Sequence, residues 1–523
     1  SKRKEFIDLS HLLVVTQTSW AARRIKESLG QVAKEKDSAC LLPQMRTPGS
    51  LIAPDKEWID GFSVASSVQS LAYWTLTLKE QDLGQFKDLF PQIPQELDAS
   101  WGLSMARAMI RLRETLAEAN YDCELVEQSG LTEKWGERDR WSDLSRLERH
   151  YRVRLERDGM MDPMDARRRW VVNPVVGTET KRVVLMGVSG FPDLFKKLLE
   201  NLMKKEISLQ VVVFCSNRKE LDSFDTFGRP VRSAWESRPL KLSDEQLHLC
   251  YGPVEQAKLS LGLIDQVPRA SEENVNIGVL DPEVKEALFE SEINRPDKPV
   301  FFDPEGQAGK KTPLYCWLQA VHDLFLVGGM GEAMNLMRFP LTHNWLKSNE
   351  IDGCIRTWLE ELDFLHTENL SKSPADGIFF SKRDLKSVYD PLNEIVGLIK
   401  RLKGRDFELE INDLLKGALS GVCFEKSKRE EQSYLQILPM IGSWLNEIKQ
   451  VSGLNPEERF SLLLGMVGQS TWRYEERENE MNLYGWLELC WADAPRLLVL
   501  GCNESYLPCL LYTSPSPRDL STS

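Results

Sequence analysis

Short apolar runs of the kind that form buried parallel strands recur along this chain, and long stretches with helical periodicity separate them. Leu12-Leu13-Val14-Val15 opens the pattern, followed by a loop, a helix in which Trp20, Ala21, Ile25 and Leu29 share a face, and a second short run at Ala39-Cys40-Leu41-Leu42. A strand buried on both faces reads as a continuous apolar run, so this is a βαβ opening. The pattern returns at Arg182–Met186, with a turn at Gly187–Gly190, a helix face of Phe195, Leu198, Leu199 and Leu202, and a strand at Leu209–Phe214. It returns again at Leu247–Tyr251, Val275–Val279 and finally Arg496–Leu500. Residues 62–170 and 310–480 read as helical. In the first of these, Trp141, Leu144, Leu147, Tyr151 and Leu155 mark one face of an amphipathic helix. The expected fold class is α/β, with parallel sheets interrupted by helical insertions.

Composition narrows the classes of function. The chain has 523 residues, 42% hydrophobic and 28% charged, enough for roughly three or four folding units and unlike a disordered or fibrous chain. A net charge of −13 excludes a basic nucleic-acid coat protein. It does not exclude a local basic groove, because binding follows the local field. Fifteen tryptophans are expected at helix-packing seams, since each buries a large area. The ten cysteines form no CxxC pair, which argues against a zinc knuckle or a secreted disulfide framework and points to a reducing cytoplasm. The polar N-terminal residues lack a signal-peptide h-region, and no run approaches 18 apolar residues, so no membrane partner is expected.

The residues that could carry chemistry mostly argue against it. A phosphate-binding loop after the first strand needs glycines, a lysine and a hydroxyl. The loop here, Thr16-Gln17-Thr18-Ser19, has neither glycine nor lysine, and Arg23 and Arg24 lie a turn further along. An ATPase also needs carboxylates at the end of a buried strand. Val183–Met186 runs instead into Gly187-Val188-Ser189, and Asp193 falls at a helix start. Gly306-Gln307-Ala308-Gly309-Lys310-Lys311-Thr312 imitates a Walker A loop, but its glycines are too close, Lys311 stands at the hydroxyl position and Pro313 follows, so a surface turn is expected. Pro192-Asp193 and Pro296-Asp297 lack the downstream D/E-x-K strand of a metal nuclease. Glu447-Ile448-Lys449 lies in a helical stretch, and none of the six histidines pairs at H-x3-H spacing. Residues 134–169 carry eleven Lys/Arg against eight Asp/Glu, which reads first as an ion-paired helix face and second as a nucleic-acid contact.

The order of these elements resembles superfamily 1 helicases of the UvrD/Rep type, and more closely the AddB-type subunits of AddAB helicase–nucleases. The stretches that carry the resemblance are LLVVTQTSWAARRIKESL (Leu12 to Leu29), LLPQMRTPGSL (Leu41 to Leu51), Asp162-Pro163-Met164-Asp165-Ala166, RVVLMGVSGFPDLF (Arg182 to Phe195), FDTFGRPVRSAW (Phe224 to Trp235), GVLDPEVKEA (Gly278 to Ala287) and Asn482 to Pro508. The resemblance implies two RecA-like domains. Residues 1–60 and 166–240 would form domain 1A with a degenerate ATP site, interrupted by a 1B-like helical insertion at 61–165. Residues 241–308 and 482–508 would form a truncated domain 2A, interrupted by a 2B-like insertion at 309–481. It further implies a non-motor subunit in double-strand break repair by recombination, guiding one DNA strand beside an AddA-type helicase–nuclease partner. A PD-(D/E)XK nuclease domain with magnesium and an iron–sulfur cluster would follow Pro508, and no cofactor is expected in the residues at hand. Strand contact is expected at Arg23, Arg24, Arg149, Arg152 and Arg154. Residues 509–523, rich in Ser, Thr and Pro, read as a non-native tail. The competing class is a helicase-fold scaffold or interaction protein with no DNA-cutting role.

Overall fold

A computed structural model describes residues 6–503, apart from 55–57, 95–96, 178, 216, 237, 240–241, 268–270, 272–273, 293–299, 368–371, 377, 379–386, 405, 423, 426–428 and 478–479. The Asp297 motif and the 509–523 tail lie outside the described residues. The chain is α/β, with two four-stranded parallel sheets and many helices.

The first sheet runs Gln44–Arg46, Leu12–Thr16, Arg182–Met186, Ser208–Val212, all parallel. Alternate side chains point to opposite faces. Leu13, Val15, Val183 and Leu185 pack under the Asp193–Lys204 helix with Trp170 and Val171. Val14 and Val184, of opposite parity, are buried as well. Covering both faces is what the continuous apolar runs require. Ala39–Leu41 is a strand, but it pairs with Phe6–Asp8 in a separate two-stranded ribbon. The seat beside Leu12–Thr16 belongs to Gln44–Arg46, whose mixed polarity suits an edge strand.

The second sheet runs Val300–Phe302, Glu480–Tyr484, Val275–Val279, Arg496–Leu500, again parallel. One face is apolar: Val275, Ile277, Val279, Phe301, Met481 and Leu483 pack on Ala257, Leu261, Val284 and Leu288 of two helices. The other face carries buried polar groups that bond one another. Asn276 donates through Nδ2 to the Tyr484 hydroxyl at 3.3 Å and accepts from the Ala494 amide at 2.9 Å. The Glu480–Tyr484 strand begins where the stretch that reads as helical ends, and the sequence pattern does not mark it as a strand. Its polar alternation at Glu480 and Asn482 hides it, because those side chains find partners only across the tertiary fold. Leu247–Tyr251, expected as a strand, is irregular, with Leu249 and Tyr251 fully exposed. Its alternation has no described strand beside it to pair with.

Each sheet is interrupted by helices between two strands that follow one another along the chain within that sheet. The first sheet opens between Gln44–Arg46 and Arg182–Met186, the second between Val300–Phe302 and Glu480–Tyr484. The two helical blocks share one apolar core. Ser67–Glu80 and Ala99–Glu118 of the first touch Pro456–Gln469 of the second. Lys79 pairs with Glu458 at 2.7 Å, and the Ser66 hydroxyl donates to Glu447 across the same seam. Several tryptophans lie at helix-packing seams inside the blocks, whereas Trp135, Trp235 and Trp486 are exposed. Trp74 stacks on Tyr151 with centroids 4.2 Å apart, and Trp317, fully buried, donates from Nε1 to Thr342 at 2.9 Å.

Candidate functional site

In open α/β sheets, ligands bind outside the carboxyl ends of the strands. The Thr16–Ser19 loop occupies that position in the first sheet. Most of its polar groups are engaged with the protein, although the Gln17 Oε1 is buried without a partner. Thr16 is buried and donates from Oγ1 to the Thr18 carbonyl at 2.9 Å. Gln17 donates from Nε2 to the Gly190 carbonyl at 2.9 Å. Thr18 caps the Ser19–Glu35 helix by accepting from the Ala21 amide at 3.3 Å, and Ser19 is its exposed first residue.

The space in front of this loop is filled from the second sheet. Trp20 meets Tyr484 edge to face, with centroids 5.0 Å apart, and Ala21, Leu489 and Trp491 complete the cluster. Phe214 packs on Trp491 at 4.9 Å. Gly187, at φ +61°, lies under this pair, and a Cβ there would sit 2.4 Å from the Phe214 ring. The position after the strand, where an ATPase places a carboxylate, is therefore a left-handed glycine beneath aromatic rings. The rim is acidic. Burial, with the charge of Glu305 adding to it, pushes the Glu488 carboxyl up against the hydrogen bond from Thr18. A triphosphate would meet rings and carboxylates here, and the Thr16–Ser19 loop offers it no lysine.

The five arginines expected at a DNA strand do not form one patch. Arg23 reaches across the seam to Glu476 at 3.7 Å, and Arg24 lies over the Trp20 ring at 5.6 Å. Arg149 is exposed on the Arg138–Arg157 helix. Arg152 and Arg154, two residues apart at ~100° per residue, face opposite sides of that helix. Arg154 pairs with Glu80. Arg152 bonds Asp165 at 2.8 and 2.9 Å and Asp122 at 3.2 Å. Its charge is committed to carboxylates, as an ion-paired helix face implies.

Arg152 is the outer member of a buried network. Arg113, nearly inaccessible, pairs with Glu148 and bonds Asp162 and Asp165, both at 3.0 Å. Tyr151 donates to Asp162 at 2.8 Å. Asp162 also caps the Pro163–Val172 helix, with Pro163 at its first position. The Asp-Pro-Met-Asp stretch that carries part of the resemblance is thus a helix start and an arginine clamp. Burial raises the Asp165 carboxyl, but Arg113 and Arg152 outweigh it and hold it down to about 2. At Glu148 burial wins over the same two arginines and the carboxyl goes up.

The Walker-like stretch is structural too. Gly309–Lys311 forms a single 3-10 turn, and Thr312 caps the Pro313–Val327 helix by accepting from the Tyr315 amide at 3.2 Å. A Cβ at Gly309 would fall 2.0 Å from the Val467 carbonyl. Lys311 pairs with Glu286. Glu447-Ile448-Lys449 lies within the Arg429–Gln450 helix. Among the described residues, no three His, Cys, Asp or Glu side chains converge as a metal site requires, and no helix is long and apolar enough to cross a membrane.

Sequence reasoning missed a basic cavity of about 520 Å3 at the junction of the two helical blocks, lined among others by Arg107, Arg111, Arg167 and Met466. The signal was present, since Arg107 and Arg111 are one helical turn apart. Only the tertiary structure brings Arg167 to them. No protein-family model matches the chain, and a search of curated proteins finds no match to it.

Proposed function

We propose that this chain is the non-motor, helicase-like subunit of a helicase–nuclease that processes DNA double-strand breaks for recombinational repair. In this reading the two parallel sheets are RecA-like domains 1A and 2A, the helical blocks are their insertions, and the chain guides one DNA strand beside an AddA-type motor. The observation that carries the reading is the filled seam. Trp20, Tyr484 and Trp491 pack in front of the Thr16–Ser19 loop, which on this reading stands where a motor would hold ATP, and Thr16 and Gln17 donate to the backbone carbonyls of Thr18 and Gly190. The nuclease step, with its magnesium and iron–sulfur cluster, rests on the resemblance alone, and no step through a metal is derived from these residues.

The test is binding of forked and single-stranded DNA by the whole chain across a salt series, alongside ATP turnover. Expected is no ATP hydrolysis by the chain alone, with DNA affinity that is indifferent to nucleotide and falls linearly with salt on a logarithmic scale. Replacing Arg23, Arg24 and Arg149 together by Ala is expected to reduce that slope. ATP turnover by the chain alone overturns the non-motor assignment.

The scaffold reading is favoured by one observation, the commitment of Arg152 and Arg154 to carboxylates. Absence of DNA binding at low salt would leave it standing.

A further inference from the structure

Four helices of the two blocks leave a cavity of about 520 Å3 between them, within the range of small-ligand sites. Arg107 and Arg111 enter it from the Ala99–Glu118 helix and Arg167 from the Pro163–Val172 helix. Among the described residues, none of the three guanidiniums has a carboxylate within ion-pair distance, in contrast to Arg113 beside them, which holds three. The Nε of Arg107 is buried without a hydrogen-bond partner. Burial, and then the like charge of Arg111, pull the Arg107 guanidinium down from its ordinary value. Glu114 and Glu118 offset Arg167, and Glu114 offsets Arg111, only from beyond ion-pair distance, so the three cations still repel one another and an anion would relieve that cost. The first residues of two helices, Ser67 and Pro163, also line it, with their ends capped by Ser66 and by Asp162. Leu71, Ile110 and Met466 add apolar surface to the lining.

We propose that this cavity binds a nucleotide unit, its phosphate gripped by Arg107, Arg111 and Arg167 and its base laid against Ile110 and Met466. Charge-assisted bonds from a guanidinium fork fit phosphate oxygens, and a flat base suits the apolar surface. Glu114 is the carboxylate at the rim that opposes the phosphate, whereas Asp162 is already bound by Arg113 and Tyr151. The proposal does not depend on the strand-guiding reading, because a free mononucleotide and a nucleotide within a strand present the same chemistry.

The experiment is fluorescence anisotropy on the whole chain with two probes, a fluorescent deoxynucleoside monophosphate and a short labelled oligothymidylate. Arg111→Gln and Arg167→Gln are each expected to weaken binding on the order of tenfold, the value of one charge-assisted bond. Glu114→Gln is expected to tighten it, a gain that misfolding cannot imitate. Binding of both probes with these responses identifies a site open to free nucleotides, and binding of the oligonucleotide alone with the same responses restricts it to strands. The proposal falls if neither probe binds the wild-type chain. It also falls if the Arg111→Gln, Arg167→Gln double variant, with an unchanged melting temperature, binds as the wild type does. Forked-DNA binding that survives in that double variant leaves the strand-guiding reading standing even where the cavity proposal has fallen, so the two fail separately.

Discussion

Arg113 shows how much a single side chain can decide here. It is 4% exposed and faces Glu148, Asp162 and Asp165, so its removal leaves three carboxylates to Arg152 and Tyr151. Arg113→Met is expected to cost roughly 3–5 kcal/mol, read from denaturant unfolding. A loss below 1 kcal/mol would show that the network is not buried. Asp165 supplies the pH signature of the same network. Its carboxyl lies at about 2 against an ordinary 3.8, so its stabilisation is complete above about pH 4 and is lost as pH falls towards 2. The stability difference between the wild type and Asp165→Asn is expected to shrink by about 2 kcal/mol across that window. A difference independent of pH would contradict the assignment. Gly309 is a steric case. Any Cβ there meets the Val467 carbonyl, and Gly309→Ala is expected to destabilise by roughly 1–3 kcal/mol, without any effect on nucleotide affinity.

At the scale of the element, caps and seams matter more than propensity. Asn455 caps Pro456–Gln469 by accepting from the Glu458 amide at 2.8 Å, and Glu458 returns the bond to the Asn455 amide at 2.8 Å. The same Glu458 pairs with Lys79 of the other helical block. Asn455→Ala is expected to cost about 1 kcal/mol, measured by thermal unfolding. A neutral result would mean that the packed face alone holds this helix start. Element identity was legible wherever burial was one-sided or complete. The Arg138–Arg157 helix is visible in its five buried apolar residues, and Leu12–Thr16 in an unbroken apolar run. Glu480–Tyr484 and Leu247–Tyr251 were not legible, for opposite reasons. The first hides polar groups that bond across the fold, and the second has alternation with nothing to pair against.

Over the whole molecule, the helical blocks behave as one body because their apolar faces are shared. Trp74→Ala, in the first block, is expected to lower amide protection in Pro313–Val327 and Pro456–Gln469 of the second as well as in its own helices. Hydrogen exchange confined to the first block would show that the cores are separable. The sequence by itself determined that this is an α/β chain, that its helices interrupt its strands and that the Thr16–Ser19 loop lacks phosphate-binding chemistry. These are local properties, set by periodicity and by residue type at one point in the chain. Only the tertiary structure decided that Tyr484 and Trp491 fill the seam over that loop. It also decided that Arg152 is spent on Asp165 while Arg107, Arg111 and Arg167 line a cavity with no described carboxylate within ion-pair distance. Those outcomes depend on which distant carboxylate or ring arrives at a side chain, and charge and aromaticity along a chain carry no record of that.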